Sequence, residues 1–208
     1  MNELLDEYLA EMPVIAILRG VAPDEVIEIA EGIIAAGIKV IEVPLNSPDA
    51  VQSIKLLSDR LASKGIFGCG TCVTTAQADA VADAGGSIMV TPNVNTDVIK
   101  KAIQRNMIPM PGWATPTEAF AAYHAGARYL KLFPASTYGL AHVNAVKSVL
   151  PNDAKILAVG GVGAANAKGW FDGGISGIGI GSELYKAGRS ASDVAARAAD
   201  IVSAVKQR

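Results

Sequence analysis

The stretch Val14-Ile15-Ala16-Ile17-Leu18 is apolar at every position. A strand without a polar face is typical of parallel strands that are covered on both sides. The segment that follows has the period of an amphipathic helix, with apolar residues on one face at Val26, Ile29, Ala30 and Ile33. This part of the sequence therefore predicts a buried β-strand followed by a helix.

The same pattern of a short apolar run and a helical segment recurs eight times along the chain. The apolar runs end near Arg19, Glu42, Thr71, Thr91, Pro111, Phe133, Gly160 and Gly181. Ser47-Pro48 and the capping box Thr115-Pro116-Thr117-Glu118 mark two of the helix starts. Eight strand–helix units predict an α/β fold, a (β/α)8 TIM barrel, with residues 1–208 as a single domain. A doubly wound open sheet is the alternative, because a repeating pattern does not prove closure.

The composition restricts the function classes. Eighteen basic and twenty acidic residues give a net charge of −2 and are not clustered by sign, so neither nucleic acid nor a membrane is expected as a partner. Met1 to Ala10 has the pattern of an extra N-terminal helix under the barrel and lacks the basic region and apolar core of a signal peptide. Two cysteines make no disulfide framework, and a cytoplasmic location is expected.

Lys131 is the charged residue within the apolar run Tyr129-Leu130-Lys131-Leu132-Phe133-Pro134. Burial can lower the pKa of a lysine from about 10.4 towards roughly 7–8, and the neutral amine can then form a Schiff base with a carbonyl. Lys131 lies at the end of its strand, where TIM barrels have their active sites, whereas Lys39 and Lys155 lie at strand starts. The alternative is a lysine whose stem packs while its ammonium reaches water.

Glu42 has a similar setting at the end of the second apolar run. Side chains alternate along a strand, so Glu42 points into the barrel if Ile41 and Val43 face the helices. A lone carboxylate there must find a partner or take up a proton, which suits a group that exchanges protons near neutral pH. The alternative is an inert internal ion pair with Lys131.

Further polar and glycine-rich segments end other strands. Arg19 could bind a carboxylate or phosphate, or could form a structural salt bridge at the barrel mouth. Thr71 supplies a hydroxyl next to glycines. The runs Val159-Gly160-Gly161-Val162 and Gly179-Ile180-Gly181-Ser182 follow the seventh and eighth strands, where many barrels bind phosphate through backbone N–H groups.

No metal or cofactor is expected. Cys69-Gly70-Thr71-Cys72 has the C-x-x-C spacing, but there is no second pair and no histidine near it. His124 and His142 fall on helical segments, away from the strand ends. This placement argues against a histidine-ligated metal and against a Ser-His nucleophile.

Taken together, these segments resemble the Schiff-base (class I) aldolases that act on 2-keto-3-deoxy-6-phospho sugar acids and 4-hydroxy-2-oxoglutarate. The resemblance covers nearly the whole chain. It is carried by the segments Ile15-Ala16-Ile17-Leu18-Arg19-Gly20, Ile41-Glu42-Val43-Pro44-Leu45-Asn46-Ser47, Gly68-Cys69-Gly70-Thr71, Val90-Thr91-Pro92-Asn93, Pro111-Gly112-Trp113-Ala114-Thr115-Pro116-Thr117-Glu118, Lys131-Leu132-Phe133-Pro134 and Val159-Gly160-Gly161-Val162.

The resemblance implies a role for each matching residue. The Schiff-base lysine is Lys131 and the acid/base glutamate is Glu42. The residues implied to bind the substrate are Arg19, Thr71, Pro92, Phe133, Val159, Gly160, Gly161, Gly181 and Ser182, of which Gly160, Gly161, Gly181 and Ser182 form the phosphate loops and Thr71 the region of the pyruvoyl carboxylate. The family also implies a homotrimer.

The branch of the family is implied by the residues after Glu42. The branch acting on the gluconate epimer has an arginine and a threonine where this chain has Asn46 and Ser47, whereas the branch acting on 2-dehydro-3-deoxy-6-phosphogalactonate resembles this chain and also has a valine at the position of Val159. We therefore expect cleavage of that sugar acid to pyruvate and glyceraldehyde 3-phosphate. The alternatives are the gluconate epimer or 4-hydroxy-2-oxoglutarate as substrate, another phosphate-using barrel enzyme such as an epimerase, and a non-catalytic sugar-phosphate-binding barrel.

Overall fold

Parallel strands form one continuous sheet in the computed structural model, which describes residues 2–207. The strands are β1 (Val14–Ile17), β2 (Val40–Pro44), β3 (Ile66–Gly70), β4 (Ile88–Val90), β5 (Ile108–Met110), β6 (Gly112–Trp113), β7 (Tyr129–Leu132), β8 (Lys155–Val159) and β9 (Gly177–Ile180). Neighbours pair in the order β5-β4-β3-β2-β1-β9-β8-β7-β6. The first and last strands of this order, β5 and β6, are adjacent in the chain.

The strands β5 and β6 occupy one strand position that Pro111 divides. β5 pairs with β4, and β6 pairs with β7. Proline has no N–H to give to a ladder, which explains the break. Its carbonyl still accepts a hydrogen bond of 2.9 Å from the N–H of Lys131, which carries the pairing to β7 across the break. Eight strand positions thus surround the axis, so the predicted (β/α)8 barrel is confirmed and the open sheet is wrong.

Helices cover the outside of the barrel. They are α2 (Val26–Ala36), α3 (Ala50–Leu61), α4 (Thr75–Asp83), α5 (Thr96–Gln104), α6 (Pro116–His124), α7 (Ala135–Lys147), α8 (Ala167–Asp172) and α9 (Ala191–Lys206). Each predicted apolar run ends within two residues of the end of a strand or, at Pro111, at the break between β5 and β6. No helix formed by residues 2–207 is both long and apolar enough to span a membrane.

One predicted helix start is wrong and another is confirmed. Ser47-Pro48 does not begin α3, which starts at Ala50. Instead, the Ser47 hydroxyl accepts a 2.9 Å hydrogen bond from the N–H of Gly20 in the loop after β1. The capping box at Thr115 is formed as predicted, with reciprocal bonds between Thr115 and Glu118.

The strands separate two apolar cores. The larger core lies between the barrel and the helices and includes Ile41 and Val43. The smaller core fills the lower half of the barrel interior, where Ile15 and Leu157 meet Leu5 and Leu9. The two leucines belong to α1 (Asn2–Glu11), which closes the bottom of the barrel as predicted, although Met1 lies outside the described residues.

Polar contacts at the bottom attach α1 to the strand starts. Asp6 accepts hydrogen bonds from the Tyr129 hydroxyl and the Lys155 ammonium. Glu11 forms a 2.7 Å ion pair with Lys39. Burial alone would raise the pKa of Asp6, but the hydrogen bonds from Lys155 and Tyr129 outweigh it, so the pKa is lowered. The lysines at strand starts are therefore compensated by α1, as expected of residues with a structural role.

Candidate active site

Lys131 and Glu42 both point into the upper half of the barrel. Leu130 and Leu132, the neighbours of Lys131 on β7, belong to the helix-facing core, as do the neighbours of Glu42 on β2. Alternation therefore directs the two charged side chains to the interior. Glu42 is 3% exposed and Lys131 is 7% exposed, which deprives both groups of most of their hydration.

The two charges do not neutralise each other by direct contact. Among residues 2–207, neither Lys131 nor Glu42 forms an ion pair within 4.0 Å, and Glu42 Oε2 is buried without a hydrogen-bond partner. The Lys131 ammonium instead lies 4.8 Å from the centre of the Phe133 ring. Gly70 leaves room for the carboxyl, because a Cβ there would clash with Glu42. An inert ion pair is thus not formed.

Burial changes the protonation of both groups. Burial raises the pKa of Glu42 to about 7, although the nearby Lys131 and Arg19 cations oppose the change. Burial lowers the pKa of Lys131 to about 8, with Arg19 adding to the effect and Glu42 opposing it. A neutral amine and a carboxyl group that can both gain and lose a proton are therefore accessible near neutral pH.

Arg19 lies at the mouth of the barrel with an exposed guanidinium. Its Nη1 donates a 2.5 Å hydrogen bond to Asn46 Oδ1 in the loop after β2. Arg19 forms no ion pair within residues 2–207, so the structural salt bridge considered from the sequence is not made. Its remaining N–H groups can bind an anion.

A cavity of about 350 Å³ opens at the C-terminal ends of β1, β8 and β9. Seven of the nine residues expected to bind substrate line it: Arg19, Phe133, Val159, Gly160, Gly161, Gly181 and Ser182. Gly160 and Gly161 have φ angles of 96° and 73°, a left-handed conformation that residues with a Cβ seldom adopt. The structure thus brings the two glycine-rich loops together in one concave wall.

Two polar residues of this wall, Asn166 and Glu183, were not predicted from the sequence. Asn166 donates to the Gly161 carbonyl at 2.8 Å and accepts from the Gly163 N–H at 3.0 Å, which fixes the loop after β8. Glu183 accepts a 2.9 Å hydrogen bond from the N–H of Ala164 and so links the loops after β8 and β9. Glu183 could have been predicted as a residue of this wall, because it directly follows Ser182 in the sequence.

Thr71 and Pro92 do not line this cavity. They follow the last residues of β3 and β4, at the same end of the barrel as Glu42 and Lys131. Thr71 has a φ of 57°, a conformation that is uncommon for a β-branched residue. Their participation in binding stays a prediction.

A larger cavity, of about 630 Å³, lies at the opposite end of the barrel beside Glu3, Arg128 and Tyr129. Arg128 is paired with Asp153 at 2.8 Å, and Tyr129 is bonded to Asp6. The uncompensated buried charges of Lys131 and Glu42 are at the end of the smaller cavity, although neither residue lines it. The candidate active site therefore comprises the smaller cavity and these two residues.

Metal-binding side chains are not clustered in the part of the chain that the structure describes. No group of three or more His, Cys, Asp or Glu residues between 2 and 207 could hold a metal ion. The two cysteines Cys69 and Cys72 are free and buried. His124 and His142 lie on α6 and α7, as predicted.

Comparison with known proteins assigns the family. The family model described as KDPG and KHG aldolase matches residues 5–199. The chain belongs to this aldolase family. The aldolase is 43% identical over 201 residues to 2-dehydro-3-deoxy-6-phosphogalactonate aldolase of Escherichia coli (strain K12), which covers 97% of this chain and 98% of that protein. The protein is therefore a carbon–carbon lyase.

Solved structures have the same fold as the aldolase. A structure called "Native KDPGal structure" superimposes with a TM-score of 0.93 at 44% identity, over 95% of this chain and 96% of that one. A cube-shaped, porous protein cage designed by fusing symmetric oligomeric domains also superimposes with a TM-score of 0.93 at 44% identity, over 95% of this chain and 73% of that one.

Proposed function

We propose that the aldolase cleaves 2-dehydro-3-deoxy-6-phosphogalactonate to pyruvate and glyceraldehyde 3-phosphate through a Schiff base on Lys131. One observation carries the proposal: Lys131 is buried with no ion-pair partner within 4.0 Å among residues 2–207, and burial lowers its pKa to about 8 although the buried Glu42 opposes the change. A lysine in this state supplies a neutral nucleophile that a lysine compensated by an ion pair does not.

The reaction begins with attack of the Lys131 amine on the C2 ketone of the substrate. The resulting carbinolamine loses water and becomes a protonated imine. This cation attracts the electrons of the C3–C4 bond, so no step requires a metal ion or a cofactor.

Glu42 moves the protons of the cleavage step. Its carboxylate takes the proton of the C4 hydroxyl as the C3–C4 bond breaks, which releases the aldehyde and leaves an enamine on Lys131. The carboxyl group then returns a proton to C3, and water hydrolyses the imine to free pyruvate. Because burial raises the pKa of Glu42 to about 7, both directions of transfer are accessible at neutral pH.

The remaining residues bind the two ends of the substrate. The phosphate lies against the backbone N–H groups of Gly160, Gly161, Gly181 and Ser182, and Arg19 supplies a positive charge to an anionic group. Thr71 contacts the pyruvoyl carboxylate. Phe133, Val159 and Pro92 form apolar walls that orient the carbon chain relative to Lys131.

The choice of the galactonate epimer is supported by two features. The chain is 43% identical to an Escherichia coli protein named for that substrate, and it has Asn46 and Val159 at the positions that separate the branches. Cleavage rates of the two C4 epimers by the same preparation test the choice. A higher kcat/KM for the gluconate epimer would reverse it.

The Schiff base is tested by reduction with borohydride in the presence of labelled pyruvate. We expect one covalent adduct on the peptide that contains Lys131. The Lys131→Ala variant should give no adduct, whereas Lys155→Ala, which changes the lysine at the start of the neighbouring strand, should give as much as the wild type. An unlabelled wild-type protein would rule out this mechanism.

Three further properties belong to the proposal. A homotrimer is supported by the family resemblance and by the likeness to a cage built from symmetric oligomeric domains, and sedimentation equilibrium tests it.

A cytoplasmic location is consistent with two free thiols. Residues 1–208 are proposed to unfold as one domain, which a single cooperative transition seen by two probes would support.

A further inference from the structure

We propose that Arg189 is a positioning residue for the phosphate end of the active site. It lies outside the cavity lining and acts through residues 181–185, here called the phosphate turn. The inference rests on the proposed function, because it concerns the site at which the phosphate of the substrate binds.

The Arg189 guanidinium binds the carbonyl side of the phosphate turn. Its Nη1 lies 2.8 Å from the carbonyl oxygen of Leu184, 2.9 Å from that of Glu183 and 3.4 Å from that of Ser182. The side chain is only 14% exposed, and its Nε forms a 3.2 Å ion pair with Asp193 on α9. One cation therefore contacts three successive carbonyls while α9 fixes its orientation.

The first three residues of the same turn line the cavity. The N–H groups of Leu184 and Tyr185 both donate to the Gly181 carbonyl at 2.9 Å, which gives the turn a helical shape. The N–H groups of Ser182 and Glu183 have no acceptor among residues 2–207, and both residues line the cavity. In a helical turn the N–H and C=O groups point in opposite directions. Anchoring the carbonyls therefore directs the two free N–H groups towards a bound phosphate.

Arginine suits this role better than lysine. A planar guanidinium has five N–H donors in fixed directions, whereas an ammonium is a point charge on a flexible stem. A cation at the carbonyl end also stabilises the aligned peptide dipoles of the turn. The Tyr185 hydroxyl independently attaches the turn to Glu25 at 2.7 Å, so loss of Arg189 should loosen the turn without unfolding it.

The chain provides a matched control in Arg197. Arg197 pairs with the same Asp193 carboxylate at 3.0 Å and touches the phosphate turn only at the Glu183 carbonyl, at 3.4 Å. Arg197→Ala thus removes an equal charge and an ion pair with the same partner, but leaves the three Arg189 contacts in place.

The test measures KM for the phosphorylated sugar acid, the dissociation constant of inorganic phosphate by ³¹P NMR, and the rate of borohydride trapping with pyruvate, which has no phosphate. For Arg189→Ala we expect KM and the phosphate dissociation constant to rise together by about tenfold. We expect pyruvate trapping and kcat to stay within about twofold. Arg189→Lys should fall between Arg189→Ala and the wild type, and Arg197→Ala should match the wild type.

Three results would overturn the positioning role. They are unchanged phosphate binding in Arg189→Ala, equal effects of Arg189→Ala and Arg197→Ala, or a parallel loss of pyruvate trapping that shows general damage. Failure of the proposed function is separate: wild-type protein would then trap no pyruvate, and the phosphate dissociation constants alone would decide the role of Arg189.

Discussion

Lys131 and Lys155 lie on neighbouring strands of the same barrel, and their surroundings differ completely. Lys155 begins β8 at the bottom, where it contacts Asp6 and Tyr129. Lys131 lies near the end of β7 at the top, where it has no ion-pair partner within residues 2–207 and Glu42 Oε2 has no hydrogen-bond donor.

The difference separates a structural charge from a reactive one. At the bottom, the ion pairs of Lys39 and Lys155 stabilise the packing of α1, and the charges are satisfied. At the top, burial of Lys131 and Glu42 without a direct ion pair lowers the stability of the fold. The same burial shifts the pKa values of both groups towards neutrality. The residue type is the same at both ends, so the surroundings of the amine determine its chemistry.

The largest effect is expected when Lys131 is replaced by methionine. The same replacement of Lys155 is the matched control. Lys131→Met should reduce cleavage by at least about 10⁴-fold, because it removes the amine proposed to form the imine. Lys155→Met should retain activity within about twofold, since its ammonium contacts α1 and not the site. Steady-state assays of both variants check this contrast, and comparable losses would contradict it.

A smaller loss is expected when Glu42 is replaced by glutamine. The amide fills the same space beside Gly70 but cannot accept the C4 hydroxyl proton, so cleavage should slow by about 10²–10⁴-fold. The pyruvate adduct should still form on Lys131. Full cleavage activity in this variant would remove Glu42 from the proton transfer.

The pH dependence of adduct formation tests the protonation state of Lys131. Only the neutral amine attacks, and the pKa of Lys131 is lowered to about 8, so the trapping rate should rise by about fivefold from pH 7 to pH 8 and level off above that. Glu42 opposes the lowering, so in Glu42→Gln the midpoint should move to lower pH. A rate that keeps rising to pH 10 would indicate an ordinary, hydrated lysine.

The smallest effect is expected at the bottom of the barrel. Tyr129→Phe removes the hydroxyl that donates to Asp6, which should lower the free energy of unfolding by about 1 kcal/mol. The pKa of Asp6 is lowered in the folded protein, so its contribution is present above the unfolded pKa and is lost as the pH falls through the folded one. Denaturant titrations at neutral and acidic pH measure this loss, and cleavage should be unaffected.

The fold and most of the residues that line the cavity at the barrel mouth could be predicted from local sequence patterns. Continuous apolar runs and helical periods depend on neighbouring residues alone, which is why the strand ends were located to within two residues. The helix start at Ser47-Pro48 was wrong for the complementary reason: the Ser47 hydroxyl binds Gly20, 27 residues away. The contacts of Glu183 with Ala164 and of Arg19 with Asn46 likewise join separate loops.

Local sequence specifies the strand–helix repeat, the lysine and glutamate within their strands and the glycine-rich loops, because each depends on residue type and short-range spacing. Which charges are left without an ion-pair partner and which are neutralised depends on the folded barrel. Desolvation and ion pairing depend on side chains brought together across the barrel, so Lys131 and Lys155 acquire opposite roles only once the sheet has closed.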